Sequence, residues 1–256
     1  MEHTEQIVDQ FTRQAAQFAA SPTARSEDIL ERILRMAEPG APDTALDVAC
    51  GPGLLVCALA QRVGHATGID LTPAMLEQAR RTQQAQGLNN VSWEQGDVTA
   101  MPYPDGAFDI LTCRFAFHHF PDPLAVLREM RRVCRAGGRI VVADSAPAAD
   151  KADAFNAMEK MRDPSHTRAL PAEELSALFA AAELPAPRME RTRLALDLDE
   201  FLSRSYPRKG DEARIRAMFE RALSDDAMDV EPRREDAKIY FSVPVAIAVA
   251  RVWDGV

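Results

Sequence analysis

Three aspartates and a glycine turn carry the chemistry that this chain can do. Residues 45–53 read Ala-Leu-Asp-Val-Ala-Cys-Gly-Pro-Gly, a short apolar run broken by one acid, Asp47, and closed by Gly51 and Gly53. The two glycines let the backbone turn tightly and approach a ligand before the apolar helix 54–63 begins. Seventeen residues past Gly53 a second short strand, 66–69, delivers Asp70, with Leu71 beside it. An acid at the tip of a second strand is placed to accept hydrogen bonds from ribose hydroxyls. Asp97 follows a third strand, 91–94, where a carboxylate can accept the exocyclic amine of adenine while Val98 packs on the ring. Together these describe a nucleoside cofactor lying across the carboxyl ends of parallel strands. The bland alternatives are a plain strand-to-helix connection for the glycines and an exposed loop acid for Asp97.

A dinucleotide fingerprint wants a third glycine at position 56, where this chain has Val56. Asp47 beside the turn would also repel pyrophosphate, and suits a cation such as the ammonium of a methionyl group. On Asp47, Gly51 and Gly53 the segment resembles motif I of the class I S-adenosylmethionine-dependent methyltransferases, with Ala49 in place of the first glycine of that motif. The stretch Gly96-Asp97-Val98 resembles the adenine-binding segment of the same family. Phe11, Ala15 and Phe18 share a helix face and resemble the N-terminal helix that folds over the cofactor in these relatives. Many of them have tyrosine where Phe18 stands, so an aromatic lid is kept and a hydroxyl is lost. The plainer reading of that segment is an ordinary amphipathic helix.

Residues 112–123, Thr-Cys-Arg-Phe-Ala-Phe-His-His-Phe-Pro-Asp-Pro, leave a fourth strand at the switch point where open α/β sheets bind ligands. They resemble the post-strand segment of the menaquinone/ubiquinone-type methyltransferases and their small-molecule relatives. Arg114 falls on the cofactor side and can anchor a carboxylate or an anionic substrate. His118 and His119 titrate near neutrality and are candidate bases. Loop packing is the competing role, and His119, abutting Phe120-Pro121, is the one assigned to it. Asp163-Pro164-Ser165-His166-x-Arg168 resembles a segment of one uncharacterised branch of the family. It reads either as an Asx-type turn or as a polar knot over the substrate.

The frame that must hold these residues is an alternation of strand and helix. Residues 1–38 form an amphipathic helical prefix ended by Pro39-Gly40-Ala41-Pro42. Thr72-Pro73 starts a helix that Gly87 stops, and Pro121-Asp122-Pro123 opens another that runs to Gly137-Gly138. Residues 139–143 are a fifth, continuously apolar strand. Such alternation implies right-handed crossovers and a parallel sheet covered on both faces. Two further strands, 189–196 and 239–252, follow helical segments and an acidic linker at 225–235, and Pro244 places the last strand at or near an edge or bulge. The expected fold is a doubly wound, mostly parallel seven-stranded sheet, with an N-terminal helical lid and helical insertions after the fifth strand and before the last. One domain is expected over 1–256: lid 1–38, cofactor core 43–147, and substrate cap with C-terminal strands 148–256.

A chain of 256 residues with 39 acidic and 30 basic side chains, net charge −9, lacks the basic face that nucleic acid requires. Aromatics at 6% are too few for a base-stacking platform. Cys50, Cys57, Cys113 and Cys134 form no C-x-x-C pair and read as buried hydrophobes of a reducing compartment. No secretory or membrane-spanning run is legible, so a cytoplasmic location is expected, and no metal site. The resemblance implies methyl transfer from S-adenosylmethionine to a small-molecule acceptor, with homodimerisation left open. The cofactor would be held by Phe18, Asp47, Ala49, Gly51, Gly53, Asp70, Leu71, Asp97, Val98 and Arg114. His118 is the first candidate for catalysis, then His166 and Asp144. Two other readings stand beside it: a non-catalytic S-adenosylmethionine-binding protein, and an NAD(P)-dependent oxidoreductase of related fold.

Overall fold

Alternating apolar positions decide the layering, because every second side chain of a strand points to the same face. The computed structural model describes residues 3–19 and 26–253. Two helices come first, α1 (His3–Ala19) and α2 (Glu27–Ala37). The core then runs β1 (Thr44–Val48), α3 (Leu54–Ala60), β2 (His65–Asp70), α4 (Pro73–Gln86), β3 (Val91–Gln95) and β4 (Phe108–Arg114). A 3-10 turn at Phe117–His119 leads to α5 (Pro123–Val133) and β5 (Cys134–Ser145). After these come α6 (Ala152–Arg162), α7 (Ala172–Ala181), β6 (Arg188–Asp197) and α8 (Leu198–Ser203). The chain closes with α9 (Asp211–Asp225), β7 (Arg233–Glu235) and β8 (Lys238–Arg251).

The strands lie in the order β3-β2-β1-β4-β5-β8-β6, with β7 paired to β8. β1 to β5 are parallel, and β8 runs antiparallel between β5 and β6. This is the doubly wound, mostly parallel sheet expected from the sequence. Strand order reverses between β1 and β4, so a crevice opens beyond their carboxyl ends. Leu46, Val48, Ile140 and Val142 pack into one layer, while Ala45, Val141 and Ala143 pack into the other. Both faces are therefore buried, as a parallel sheet requires.

Local signals set most element ends. Thr72 and Pro73 open α4, although the Thr72 side chain makes no capping bond, and Gly87 closes it at φ 64°. Asp122 caps α5 by accepting the Ala125 N–H at 2.9 Å. Within the prefix, α2 buries Ile29, Ile33, Leu34 and Met36 in the core, so the part of 1–38 that stands over the crevice is α1. Among the described residues no helix is long and apolar enough to cross a membrane.

Two segments differ from the sequence-based expectation, while Pro244 falls in β8, one strand in from the edge strand β6 and so near the edge. The Pro244 carbonyl accepts the Ala146 N–H at 2.9 Å, so its nitrogen faces the same side, just past Ser145 where β5 leaves the sheet. The donor that proline lacks falls where no ladder partner remains, which is how the sheet tolerates it. Residues 233–235, read as acidic linker, add the short strand β7 against β8. The helix expected to reach Gly137-Gly138 ends at Val133, and β5 begins at Cys134.

Gly68, in the middle of β2, shows how closely the crevice floor is packed. A Cβ there would sit 2.7 Å from Trp93 Cζ3 and 2.8 Å from Cys50 Sγ. The Trp93 ring cannot simply swing away, because its Nε1–H donates to Gln83 Oε1 at 2.7 Å. Gly68→Ala is therefore expected to destabilise the fold by about 1–3 kcal/mol, the usual cost of overpacking. Urea unfolding measures this, and an unchanged midpoint would mean that Trp93 does not pack against β2.

Candidate active site

The tips of β1, β2 and β4 deliver charged groups into one cleft of about 290 Å³. Its floor is the turn 49–52. Ala49 (φ 55°) and Gly51 (φ 52°) are both left-handed there, a conformation that costs alanine more than glycine. A Cβ at Gly51 would meet only open space, consistent with its place on the cleft wall. Gly53 does not line the cleft. It is the left-handed N-cap of α3, and a Cβ there would collide with the Trp93 ring and Ala79.

Asp70 fixes this turn. Its Oδ2 accepts the Gly51 N–H and its Oδ1 accepts the Thr72 N–H, each at 2.8 Å. The Thr72 side chain and the Leu71 backbone also hydrogen-bond this carboxylate. Burial raises the Asp70 pKa, and these backbone bonds oppose the rise. Asp47, 2% exposed, accepts the Thr112 hydroxyl at 2.6 Å. Burial pushes it up to about 7, against that bond and the charge of Arg114. Arg114, half-buried, is brought down to about 10 by loss of solvation, against the charge of Asp47. Asp97 closes an Asx turn, its Oδ1 accepting the Thr99 N–H and hydroxyl at 2.8 Å each. It lines the cleft together with Leu71 and Val98. Thr4, Ile7 and Phe11 of α1 form the roof, and the Phe18 side chain lies outside the described residues.

A second, smaller cavity of about 90 Å³ adjoins the first, and Phe11, Phe115 and His119 wall both. Phe115, a bulky residue at φ 53°, holds a strained conformation at the junction. His118 lines the smaller cavity. Its Nδ1–H donates to Asp144 Oδ1 at 2.5 Å, and its backbone N–H donates to Asp144 Oδ2 at 3.0 Å. Asp144 thereby sets both ring orientation and tautomer, leaving Nε2 as the basic atom of the neutral ring. Burial disfavours the imidazolium, but the Asp144 charge and hydrogen bond outweigh it and raise the pKa.

His119 and His166 stay neutral. The Ser165 hydroxyl donates to Asp163 Oδ1 at 2.6 Å, so it accepts from His119 Nδ1–H at 3.2 Å. Burial and the neighbouring His118 bring His119 down to about 3. His166 donates from Nε2 to Asn156 Oδ1 at 2.7 Å, and burial followed by His118 depresses its pKa strongly. Its ring stands 5.4 Å from that of His118, and it lines neither cavity. Of the three catalytic candidates, the fold thus joins His118 and Asp144 and sets His166 behind them. Glu159, Arg162 and Arg204, which the sequence did not single out, line the smaller cavity. Only the charge of the 159–163 segment hinted at the first two, and nothing local marks Arg204.

A methyltransferase-domain family profile matches residues 46–142, from β1 into β5. The uncharacterized methyltransferase YcgJ of Bacillus subtilis is 35% identical over 208 residues, covering 80% of this chain and 81% of YcgJ. The YcgJ crystal structure superposes with a TM-score of 0.81 at 30% identity, over 88% of this chain and 98% of that one. Demethylmenaquinone methyltransferase of Thermus thermophilus is 42% identical over 118 residues, 45% of this chain and 53% of its own length. A geranyl diphosphate C-methyltransferase from Streptomyces coelicolor, solved with S-adenosyl-L-homocysteine, shares the fold at 16% identity and a TM-score of 0.61, over 88% of this chain and 79% of that one. The chain belongs to the class I methyltransferase family, in the branch that this domain profile defines. Methyl transfer is the chemistry of that family.

The buried Asp47 carboxyl makes a prediction about stability. Folding raises its pKa from 3.8 to about 7, so the folded chain holds this proton longer than the unfolded one. Its contribution to stability is therefore most favourable at low pH and declines as pH climbs through that window. Asp47→Asn keeps an acceptor for Thr112 and removes the ionisation. The variant is expected to be more stable than the parent by roughly 1–3 kcal/mol at pH 8, and much less so at pH 5. Urea unfolding at the two pH values decides it, and a difference independent of pH would refute the assignment.

Proposed function

We propose that the protein transfers a methyl group from S-adenosylmethionine to a small organic acceptor, with His118 as the base where the acceptor must lose a proton. The observation that carries this reading is the adjacency of the acid-lined cleft and the His118 cavity across Phe115 and His119. The cofactor fits the donor set. Asp47 is a desolvated carboxyl that a cationic methionyl ammonium would complement, and Asp70 lines the cleft with a carboxylate that would accept the ribose hydroxyls. Asp97 and Val98 would receive the adenine edge and face. The bound S-adenosyl-L-homocysteine in the Streptomyces relative supports the same choice of cofactor.

When bound, S-adenosylmethionine supplies an electrophilic methyl group on its sulfonium. The chain's own work is placement and proton handling. α1 covers the cleft and excludes water, since Thr4, Ile7 and Phe11 close its roof. His118 accepts a proton at Nε2, and the resulting imidazolium is stabilised by Asp144. An acceptor held against the Phe115 junction then lies between base and cofactor.

If Asp70 receives the ribose, Asp70→Ala should weaken binding of S-adenosylhomocysteine by about 1.5–3 kcal/mol, the value of hydrogen bonds to a charged group. Calorimetry on the folded variant measures it, and unchanged affinity would remove Asp70 from the site. His118→Ala should lower kcat by about a hundred-fold while cofactor affinity stays at the parental value. Only neutral His118 is a base, so turnover should rise with pH, with its midpoint above the ordinary histidine value. A variant that turns over normally, with a flat pH profile, would mean that the acceptor needs no deprotonation.

A further inference from the structure

The cavity beyond His118 is rich in donors that the chain does not satisfy. Arg162, Arg204 and Gln14 of α1 all line it. Arg162 is engaged: Nε and Nη2 donate to Glu159 Oε2 at 2.8 and 2.6 Å, and its guanidinium carbon sits 4.7 Å from the Phe201 ring centre. Asp163, the other acid on the wall, is taken up by the N–H and hydroxyl of Ser165. Arg204 differs. Its Nε donates to the Glu200 carbonyl at 3.0 Å, but Nη2 is buried without a hydrogen-bond partner. The Glu200 carboxylate forms an ion pair with it at 3.7 Å, too long for a hydrogen bond. Gln14, 4% exposed, also buries Nε2 without an acceptor.

Unpaired buried donors are costly, and two on the wall of one cavity call for a ligand that accepts. The wall acids Glu159 and Asp163 are each bonded to neighbours, and neither reaches the open donors of Arg204 and Gln14. Charge points the same way, because Arg162 and Arg204 repel one another and the Glu200 carboxylate pairs with Arg204 only at 3.7 Å. An anionic oxygen group answers both demands, since its oxygens accept several N–H bonds at once and oppose the charge of both guanidinium groups. The volume of about 90 Å³ suits a group of a few atoms.

We propose that this cavity is a subsite for a carboxylate on the methyl acceptor, held by Arg204 Nη2 and Gln14 Nε2, with Arg162 adding positive charge. The inference rests on the reading of this site as a methyl-acceptor pocket. It narrows the acceptor to small organic acids whose nucleophilic atom lies a few bonds from the carboxylate.

The test is calorimetric titration of the full chain, with and without S-adenosylhomocysteine. The probes are butyrate and benzoate, against butyramide, benzamide and benzylamine. The carboxylates are expected to bind at least about tenfold more tightly than the matching amides. Arg204→Gln should remove that preference, Arg204→Lys should restore part of it, and Gln14→Leu should reduce it. Affinity for S-adenosylhomocysteine should be unchanged in all three. Equal binding of amide and carboxylate, preferential binding of the amine, no carboxylate binding at about 10 mM, or an undiminished preference in Arg204→Gln would each overturn the proposal. The comparison of probes on the parent chain stands even if a variant does not fold. Failure of S-adenosylhomocysteine to bind would strike the cofactor reading instead, and the carboxylate titration of the cofactor-free protein would still be read.

Discussion

The site hangs on one carboxylate shared between two turns. Asp70 ends β2 and takes one backbone N–H from the turn after β1 and another from the turn that opens α4. The turn after β1 has most need of this anchor, since Ala49 and Gly51 both occupy left-handed backbone regions there. Neighbouring strands pose the same problem of a buried acid and meet it differently. Asp47 leans on the Thr112 hydroxyl and a raised pKa, whereas Asp144 at the end of β5 binds both the ring and the backbone of His118. The reversal of strand order brings these answers to one edge of the sheet.

The elements that could be read in the sequence are those whose signals are local. Acid, glycine spacing and apolar alternation lie within a few residues of one another, so β1, β2 and their turns were legible together with Asp47, Asp70 and Asp97. How the sheet tolerates Pro244 was not legible, because its lost donor matters only against the end of β5, about a hundred residues away in the chain. Gly53 has a packing reason that only the distant Trp93 reveals. The place of His166 depends on Asn156, which turns the ring away from both cavities. Arg204 follows a short helix without any pattern of its own and reaches the site only because β6 and β8 fold back along β5.

The segment from Phe115 to His119 therefore does more than connect a strand to a helix. It parts two cavities, presents the Asp144-bound ring to one of them, and holds the other ring against Phe11 of α1 at 5.0 Å. α1 meets the C-terminal half as well, through the Tyr206 hydroxyl and the Arg13 carbonyl at 3.3 Å. The roof over the cleft and the wall of the smaller cavity are thus one body.

Crowding of the three imidazoles has a consequence for traffic. With ring centres 4.2 to 6.4 Å apart in a buried cluster, a charge on one opposes a charge on either of the others. Burial and this repulsion keep His119 and His166 neutral, so a proton on the His118 ring finds no second imidazole ready to share it. Under the proposed role of His118, that proton would return toward the smaller cavity that the ring lines.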